Sequence, residues 1–505
     1  MGVLMLTLLV FFVRNSNEDE TVNVGVVIRL TQKGLTYGII HGLSFSVVSF
    51  TMNTVLESVK KLNLTAFSIP TANVTTSNVS YSIQKLIYTD YANLNASILI
   101  NENPGLNVTV HSLSVNASGE VECQAKDKRN VQRCGIEMTI SGSGNFLVVI
   151  GTNRQGRFNV SMKQEKGSCI ISTPDLKIWV TNCDKLAESL CETNLLELEE
   201  KFKKERLTQA KLCFLARFYF FARGDAEMNT IILTPRIGQT PFIANLLMQQ
   251  QPKYESSFLN TYHKGDVLWF PSMDKISNTE NVSYTLHNES SKMVYIWISK
   301  EAVRSLFKGA QTHGILKFKI TPEKLSPDNP GLNTTCTEKV CVGRLVPELE
   351  EKYPNQYMDL DIYSLETPNV TFEKNLAVIK LYTVMFVYIR HPEKQNSTLI
   401  AKLDGNAEMR IRVFMTNSTF QGNIVAFEPY LKNMESTVHG FDMQTVNFIL
   451  MSAVVTTVEP VLNELGRKGM PLPLTPKIQL ENSTVNLIEN AIVIGSDGTY
   501  NRTED

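Results

Sequence analysis

The sequence predicts an α+β fold built twice over, each half an antiparallel sheet followed by a long helix, and three observations carry that reading. From Ala66 to Ser172, runs such as "VSYSIQKLIY", "NASILI", "LNVTVHSLSV", "GIEMTIS", "NFLVVIG" and "RFNVSMK" alternate apolar and polar residues. Turn residues separate them at roughly ten-residue spacing, the mark of an antiparallel sheet or barrel. Next, "CDKLAESLCETNLLELEEKFKKERLTQAKLCFLARFYFF" has the apolar stripe of one long amphipathic helix or two. Finally, the order recurs. "MVYIWISKEAVRSLFKGAQTHGIL" gives a strand then a helix, strands run from "LKFKI" to "GNIVAFEPYL", and a helix from about Met443 to Lys468 precedes an extended tail.

The remaining elements follow in order. "VNVGVVIRLTQKGLTYGIIHGL" begins extended and enters a helix reaching about Lys61. Between the halves, "LTPRIGQTPFIANLLMQQQPKYESSFLNTYHKGDVLWFPS" has scattered Pro and Gln and reads as a connector. At 505 residues the chain exceeds one ordinary core, so two large domains are expected. The hydrophobic content of 43% is that of a folded protein, and the net charge of −1 excludes a general polyanion binder such as a nucleic-acid protein.

At the N-terminus, the apolar run Val3 to Val13 is too short to span a membrane and fits the h-region of a secretory signal. No Lys or Arg precedes it and no small-x-small site follows, so a mis-set start codon or a buried strand is the competing reading. Fifteen Asn-x-Ser/Thr sequons, from Asn63 to Asn501, point to the secretory pathway, with compositional bias as the alternative. The eight cysteines agree with an oxidising compartment. Close spacing favours Cys123–Cys134, Cys183–Cys191 and Cys336–Cys341, leaving Cys169–Cys213 as the long bridge. No CxxC pair and no Cys/His spacing of a zinc site occurs, so no metal is expected.

Catalytic signatures are missing as well: the chain has no GxSxG, HExxH, P-loop or GxGxxG, and its seven histidines are dispersed. An enzyme is not expected, and no cofactor is implied.

Four segments resemble the family of bactericidal/permeability-increasing protein and lipopolysaccharide-binding protein, with the cholesteryl ester and phospholipid transfer proteins as wider relatives. They are "NVGVVIRLTQKGLTYG" (23–38), "MVYIWISKEAVRSLFKGAQTHGILKFKI" (293–320), "LVPELEEKYPNQYMDLDIYSLETPNVTF" (345–372) and "GMPLPLTPKIQLENSTVNLIENAIVIGSD" (469–497). The resemblance covers nearly the whole chain and is weakest from Leu43 to Gly119. It implies a pseudo-twofold boomerang: two elongated barrels, each a twisted antiparallel sheet wrapped around a long helix, joined by a central sheet. On that plan residues 1–20 are a signal peptide, 21–245 and 291–505 the two lipid-binding barrels, and 246–290 connector and central-sheet segments. Gly469, Pro471 and Pro473 would stop the last helix, since Pro lacks the needed N–H and clashes with the preceding turn. Leu450, Val454, Val458 and Leu462 would lie on that helix's inner face. The family's shared disulfide implies Cys169–Cys213, and Cys123–Cys134 would be an added clasp on a hairpin.

By the same resemblance each barrel holds one apolar cleft for a phospholipid or other amphipathic lipid. In the N-terminal half the expected lining is Val26, Ile28, Leu30, Leu35, Ile39, Leu43, Leu212, Leu215 and Tyr219. In the C-terminal half it is Ile296, Val303, Leu306, Phe307, Leu450, Val454 and Val458. Any of these residues also suits plain core. A second feature is "CQAKDKRNVQRC", where Lys126, Lys128, Arg129 and Arg133 crowd a hairpin. It reads either as a tip that grips anionic head groups of lipopolysaccharide or a membrane surface, or as a solvated hairpin end. The first 230 residues hold 23 Lys and Arg against 21 Asp and Glu, a balance near +2, unlike the basic N-terminal halves of the bactericidal members. The leading expectation is therefore a secreted lipid-binding or lipid-transfer glycoprotein. The alternatives are an innate-immune lipopolysaccharide binder and a surface-interaction glycoprotein with filled pockets.

Overall fold

In the computed structural model, the strand Val26–Thr31 is hydrogen-bonded along both edges, to Phe258–His263 and to Val294–Ser299. The structure describes residues 19–500, apart from 42–71, 102–104, 127–130, 164–166, 173–174, 184–189, 207–212, 214–231, 238–239, 277–281, 325–329, 338–339, 394–395, 454, 456–458 and 473–477. Sheet dominates the described residues. A six-stranded central sheet gathers Lys253–Tyr254, Phe258–His263, Val26–Thr31, Val294–Ser299, Ala491–Tyr500 and Ile478–Ile488, in that spatial order. A seven-stranded antiparallel sheet is built from Ala72 to Thr181, and another from Lys317 to Pro471. A small sheet of Phe242–Ala244, Val267–Trp269 and Asp274–Ile276 lies in the segment read as a connector.

Alternation sets the two faces of the central sheet. One face carries Val27, Tyr262, Tyr295, Trp297 and Val493, all buried in one core with Val22, Val24 and Tyr284. Arg29 lies on this side, 1% exposed. Its guanidinium sits 3.7 Å from the ring centre of Phe258 and 4.8 Å from that of Trp297. Its Nε donates to Asn260 Oδ1 at 2.9 Å and its Nη1 to the carbonyls of His287 at 2.6 Å and Glu289 at 3.2 Å. Burial pulls the guanidinium down to about 10, which still leaves it charged at neutral pH. A buried charge costs several kcal/mol unless its hydrogen bonds are satisfied, and here carbonyls and aromatic faces satisfy it.

The N-terminal sheet differs from the short-strand reading. Val79–Asn101, Gly105–Ala125 and Val131–Thr152 are continuous strands of 23, 21 and 22 residues. The polar and small residues that mimic turns fall at register shifts instead, between Gln84 and Ile87, Tyr88 and Asp90, and Ala92 and Asn95. β-Bulges absorb such residues without ending a strand, and they bend it. The helix expected to reach Lys61 is described only as Gln32–His41. Of the long helix after Cys183, the described α-helical run is Leu195–Arg206.

At the other end, Met443–Ala453 and Glu459–Lys468 are α-helical. The chain stops its helix at Gly469, whose φ of +62° is cheap only for glycine. Met470–Pro471 then pairs with Thr419–Phe420, which turns the chain into sheet; Pro473 lies outside the described residues. Gly466 lets this last helix meet the sheet closely, because a Cβ there would stand 2.1 Å from the Gly422 carbonyl oxygen.

Two of the disulfides correct the expectation from spacing. Cys123 pairs with Cys191 and Cys134 with Cys183, not Cys123 with Cys134 or Cys183 with Cys191. The register explains it: Cys123 faces Gln132 and Cys134 faces Val121, so the two cysteines are diagonal neighbours on adjacent strands. Diagonal Cα atoms stand about 7–8 Å apart, beyond the reach of most disulfides. Both sulfurs instead tie Cys191 and Cys183 to the sheet, beside a core containing Tyr81, Ile136, Leu198 and Phe202. Cys169–Cys213 and Cys336–Cys341 form as expected.

Proteolysis under non-reducing conditions should therefore yield linked peptides containing Cys123 with Cys191 and Cys134 with Cys183. Replacing both Cys134 and Cys183 by Ser should cost about 2–4 kcal/mol in chemical denaturation, since the bridge closes a long loop. A peptide joining Cys123 to Cys134 would contradict this register.

Candidate functional site

The second face of the central sheet is the floor of an apolar cavity of about 610 Å³. Three rows of residues lie side by side across its strands. Leu259, Leu30 and Val294 form one; Thr261, Ile28 and Ile296 the next; His263, Val26, Ile298 and Ile492 the third. Every other residue of each strand reaches this face because side chains alternate along a strand. Such a floor needs β-branched and aliphatic residues at i, i+2 and i+4, which "VVIRL" and "VYIWI" supply.

One wall is the helix Lys300–Thr312, capped by Ser299, whose hydroxyl accepts from the Ala302 N–H at 3.0 Å. It presents Ala302, Val303, Leu306 and Phe307 to the cavity. The helix also packs closely on the small sheet: a Cβ at Gly309 would lie 2.4 Å from Ile276 Cδ1. The facing wall comes from the C-terminal sheet through Val370, Phe372, Ile379, Met409, Ile411 and Ile424. Leu462, Gly466, Met470 and Leu472 complete the lining on the side of the last helix. Ile232, Leu233, Pro235, Arg236 and Ile237 also line it, and Ile232 is 72% exposed.

Polar side chains on this lining are few: Thr261, His263, Gln421 and Arg236. His263 is 1% exposed; its Nδ1 faces the Leu246 carbonyl at 2.7 Å and its Nε2 the Thr261 hydroxyl at 2.9 Å. A carbonyl only accepts, so Nδ1 carries the proton and Nε2 accepts. Burial pushes the imidazole down to about 4, so it is neutral at physiological pH. Among the described residues, no group of three or more His, Cys, Asp or Glu could hold a metal ion.

Of the residues singled out from sequence, Val26, Ile28, Leu30, Ile296, Val303, Leu306 and Phe307 line this cavity together, although they were assigned to two clefts. Leu462, placed by the resemblance on the inner face of the last helix, joins them. Leu35 is buried instead in a neighbouring core with Ile98, Leu106 and Val148. Leu450 packs against the core of the C-terminal sheet. The side chain of Ile39 and the whole of Leu43, Leu212, Leu215, Tyr219, Val454 and Val458 lie outside the described residues. So do Lys128 and Arg129; Lys126 is exposed, and Arg133 Nε is paired with Glu122 at 2.8 Å. The contribution of residues 232–267 was not anticipated. Their strands of three residues are too short to show a period, though "FLNTYH" places Leu259, Thr261 and His263 on one face.

Comparison with known proteins bears on what such a cavity is for. The family model described as the C-terminal domain of the LBP / BPI / CETP family matches residues 238–500, more than half of the chain. Bactericidal permeability-increasing protein of Sebastes schlegelii is 21% identical over 488 residues, covering 94% of this chain and 95% of its own. Lipopolysaccharide-binding protein of Homo sapiens is 20% identical over 496 residues, covering 98% of each. The crystal structure of a lipopolysaccharide binding protein matches with a TM-score of 0.53 at 19% identity, over 95% of this chain and 100% of that one. The fold is thus a mixed one of mostly sheet with few helices, shared with that structure.

His263 sets an acid limit on the cavity floor. As pH falls the unfolded chain, with an ordinary imidazole near 6.5, takes up a proton that the folded chain refuses until about 4. Stability therefore drops across that window, by about 3 kcal/mol from this group. Denaturant titrations at pH 7 and pH 4.5 should show a smaller acid loss for His263→Asn than for the unaltered protein. Equal losses in both would contradict the assignment.

Proposed function

The chain belongs to the LBP / BPI / CETP family, and we propose that it is a secreted, non-enzymatic lipid-binding glycoprotein that holds the acyl chains of a phospholipid-like amphiphile in the cavity against its central sheet. The observation that carries this reading is the lining. Strand alternation, the helix 300–312 and the C-terminal sheet all turn aliphatic and aromatic side chains inward, and the polar exceptions are few. A volume of about 610 Å³ falls in the range of ligand sites, roughly 300–1,000 Å³. Burying about ten methylenes there is worth about 8 kcal/mol, which alone corresponds to micromolar affinity.

In this proposal residues 21–245 and 291–505 form the two elongated barrels of a pseudo-twofold boomerang, with 246–290 contributing to the sheet between them. Val26, Ile28, Leu30, Ile296, Val303, Leu306 and Phe307 are the residues proposed to touch lipid. The names of the relatives favour a second reading, recognition of lipopolysaccharide by the basic hairpin. That reading rests on Lys126, Lys128 and Arg129, because Glu122 already neutralises Arg133.

Native mass spectrometry of the glycoprotein secreted from eukaryotic cells should find diacyl lipid bound. Val303→Asp places a carboxylate in the apolar wall and should lower bound lipid at least tenfold, with thermal unfolding reporting that the fold survives. Undiminished lipid in a folded Val303→Asp protein would refute the assignment of this cavity, and a lipid-free parent that takes up none would refute the carrier.

A further inference from the structure

Among the described residues that line the cavity, Arg236 alone carries a formal charge. It is exposed, as is Ile232 of the same lining segment, so the cavity opens to solvent along this segment. The backbone around it is fixed: Arg236 bridges Ile243 in antiparallel fashion, and the Ile237 N–H donates to the Phe242 carbonyl at 2.8 Å. The side chain is fixed as well. Its Nε donates to the Thr240 carbonyl at 2.6 Å, and the guanidinium carbon lies 5.1 Å from the ring centre of Phe270. Neither contact uses the Nη groups, and among the described residues no acceptor or carboxylate is paired with them. Most other basic side chains near the central sheet are paired, as Lys33 and Lys292 are to Asp497 and Lys253 to Glu20.

We propose that Arg236 is an anion-binding subsite at the mouth of the cavity, and that the ligand is an acyl lipid whose head group presents a phosphate to the uncommitted Nη groups. The inference rests on the carrier reading above and adds the residue that reads the phosphate of that phospholipid-like ligand. A guanidinium offers two parallel N–H donors to a phosphate, and the Nε bond to Thr240 with the cation–π contact to Phe270 steadies the group without using its Nη donors. Acyl chains on the aliphatic floor and a phosphate at the rim make one amphiphile span both parts. The geometry selects against a lipid of the same chains that ends in a hydroxyl, because such a head group brings no charge to the arginine.

The test compares two lipids with identical acyl chains, dioleoyl phosphatidic acid and dioleoylglycerol, offered to the full chain and quantified by native mass spectrometry. Reading the ratio of the two lipids within each protein removes any general effect of a substitution on uptake. The unaltered protein should prefer phosphatidic acid by about tenfold, the worth of one charge-assisted pair at a partly exposed site. Arg236→Gln should bring the ratio to within about twofold of unity, and Arg236→Lys, a point charge without the planar fork, should fall between. A preference that survives in Arg236→Gln would place the phosphate elsewhere and overturn the subsite while leaving the carrier intact. Uptake of dioleoylglycerol with no preference in the unaltered protein would do the same. Uptake of neither lipid would overturn both.

Discussion

Everything in this fold depends on the double pairing of the strand Val26–Thr31. It joins a segment near the start of the chain to Phe258–His263 on one edge and Val294–Ser299 on the other, so contacts more than 200 residues apart in sequence become neighbours. Because the side-chain period of a strand is two, one register decides both faces at once, and a slip by one residue would exchange them. Arg29 makes that slip expensive. Its ring stacking and three hydrogen bonds exist only with the guanidinium on the covered face, and moved to the cavity floor it would be a charge among aliphatic residues. Locking Arg29 on one side is what keeps Ile28 and Leu30 on the other.

The cavity follows from that lock and from how the sheets end. The helix 300–312 leaves the central strand at Ser299 and is seated on Ile276 and Phe242 at Gly309, so Ala302, Val303, Leu306 and Phe307 line the cavity instead of filling it. Close glycine contact at Gly466 draws the last helix against the C-terminal sheet and brings Leu462 and Gly466 onto the cavity lining. Ordinary cores fill such space with side chains at crystal-like density, so a persistent apolar void lined by Ile, Val, Leu and Phe gives up packing energy that a bound acyl chain would restore.

How much of this was legible in the sequence depended on element length. Val26, Ile28 and Leu30 alternate along one strand and Ile296 lies in another, but the resemblance divides them between two clefts where the structure has one shared floor. Gly469 could be read as a helix stop because a glycine before two prolines has few other uses. Leu35 and Leu450 show the limit of that method: an apolar helix position says that a residue is covered, not whether core or cavity covers it. The walls from residues 232–267 were invisible because their strands of three residues carry no period. The disulfide pairing was invisible for a different reason. Sequence spacing put Cys123 beside Cys134, but the register that makes them diagonal is set by long bulged strands whose irregularities only the assembled sheet reveals.

The most direct test of the central claim is to map where an acyl chain lies. A phosphatidylcholine carrying a diazirine near the end of one chain would be loaded into the protein, irradiated and located by peptide mass spectrometry. Adducts on 26–31, 294–299 and the helix 300–312 are the predicted result. Adducts confined to 79–152, with none on the central sheet or that helix, would contradict the account.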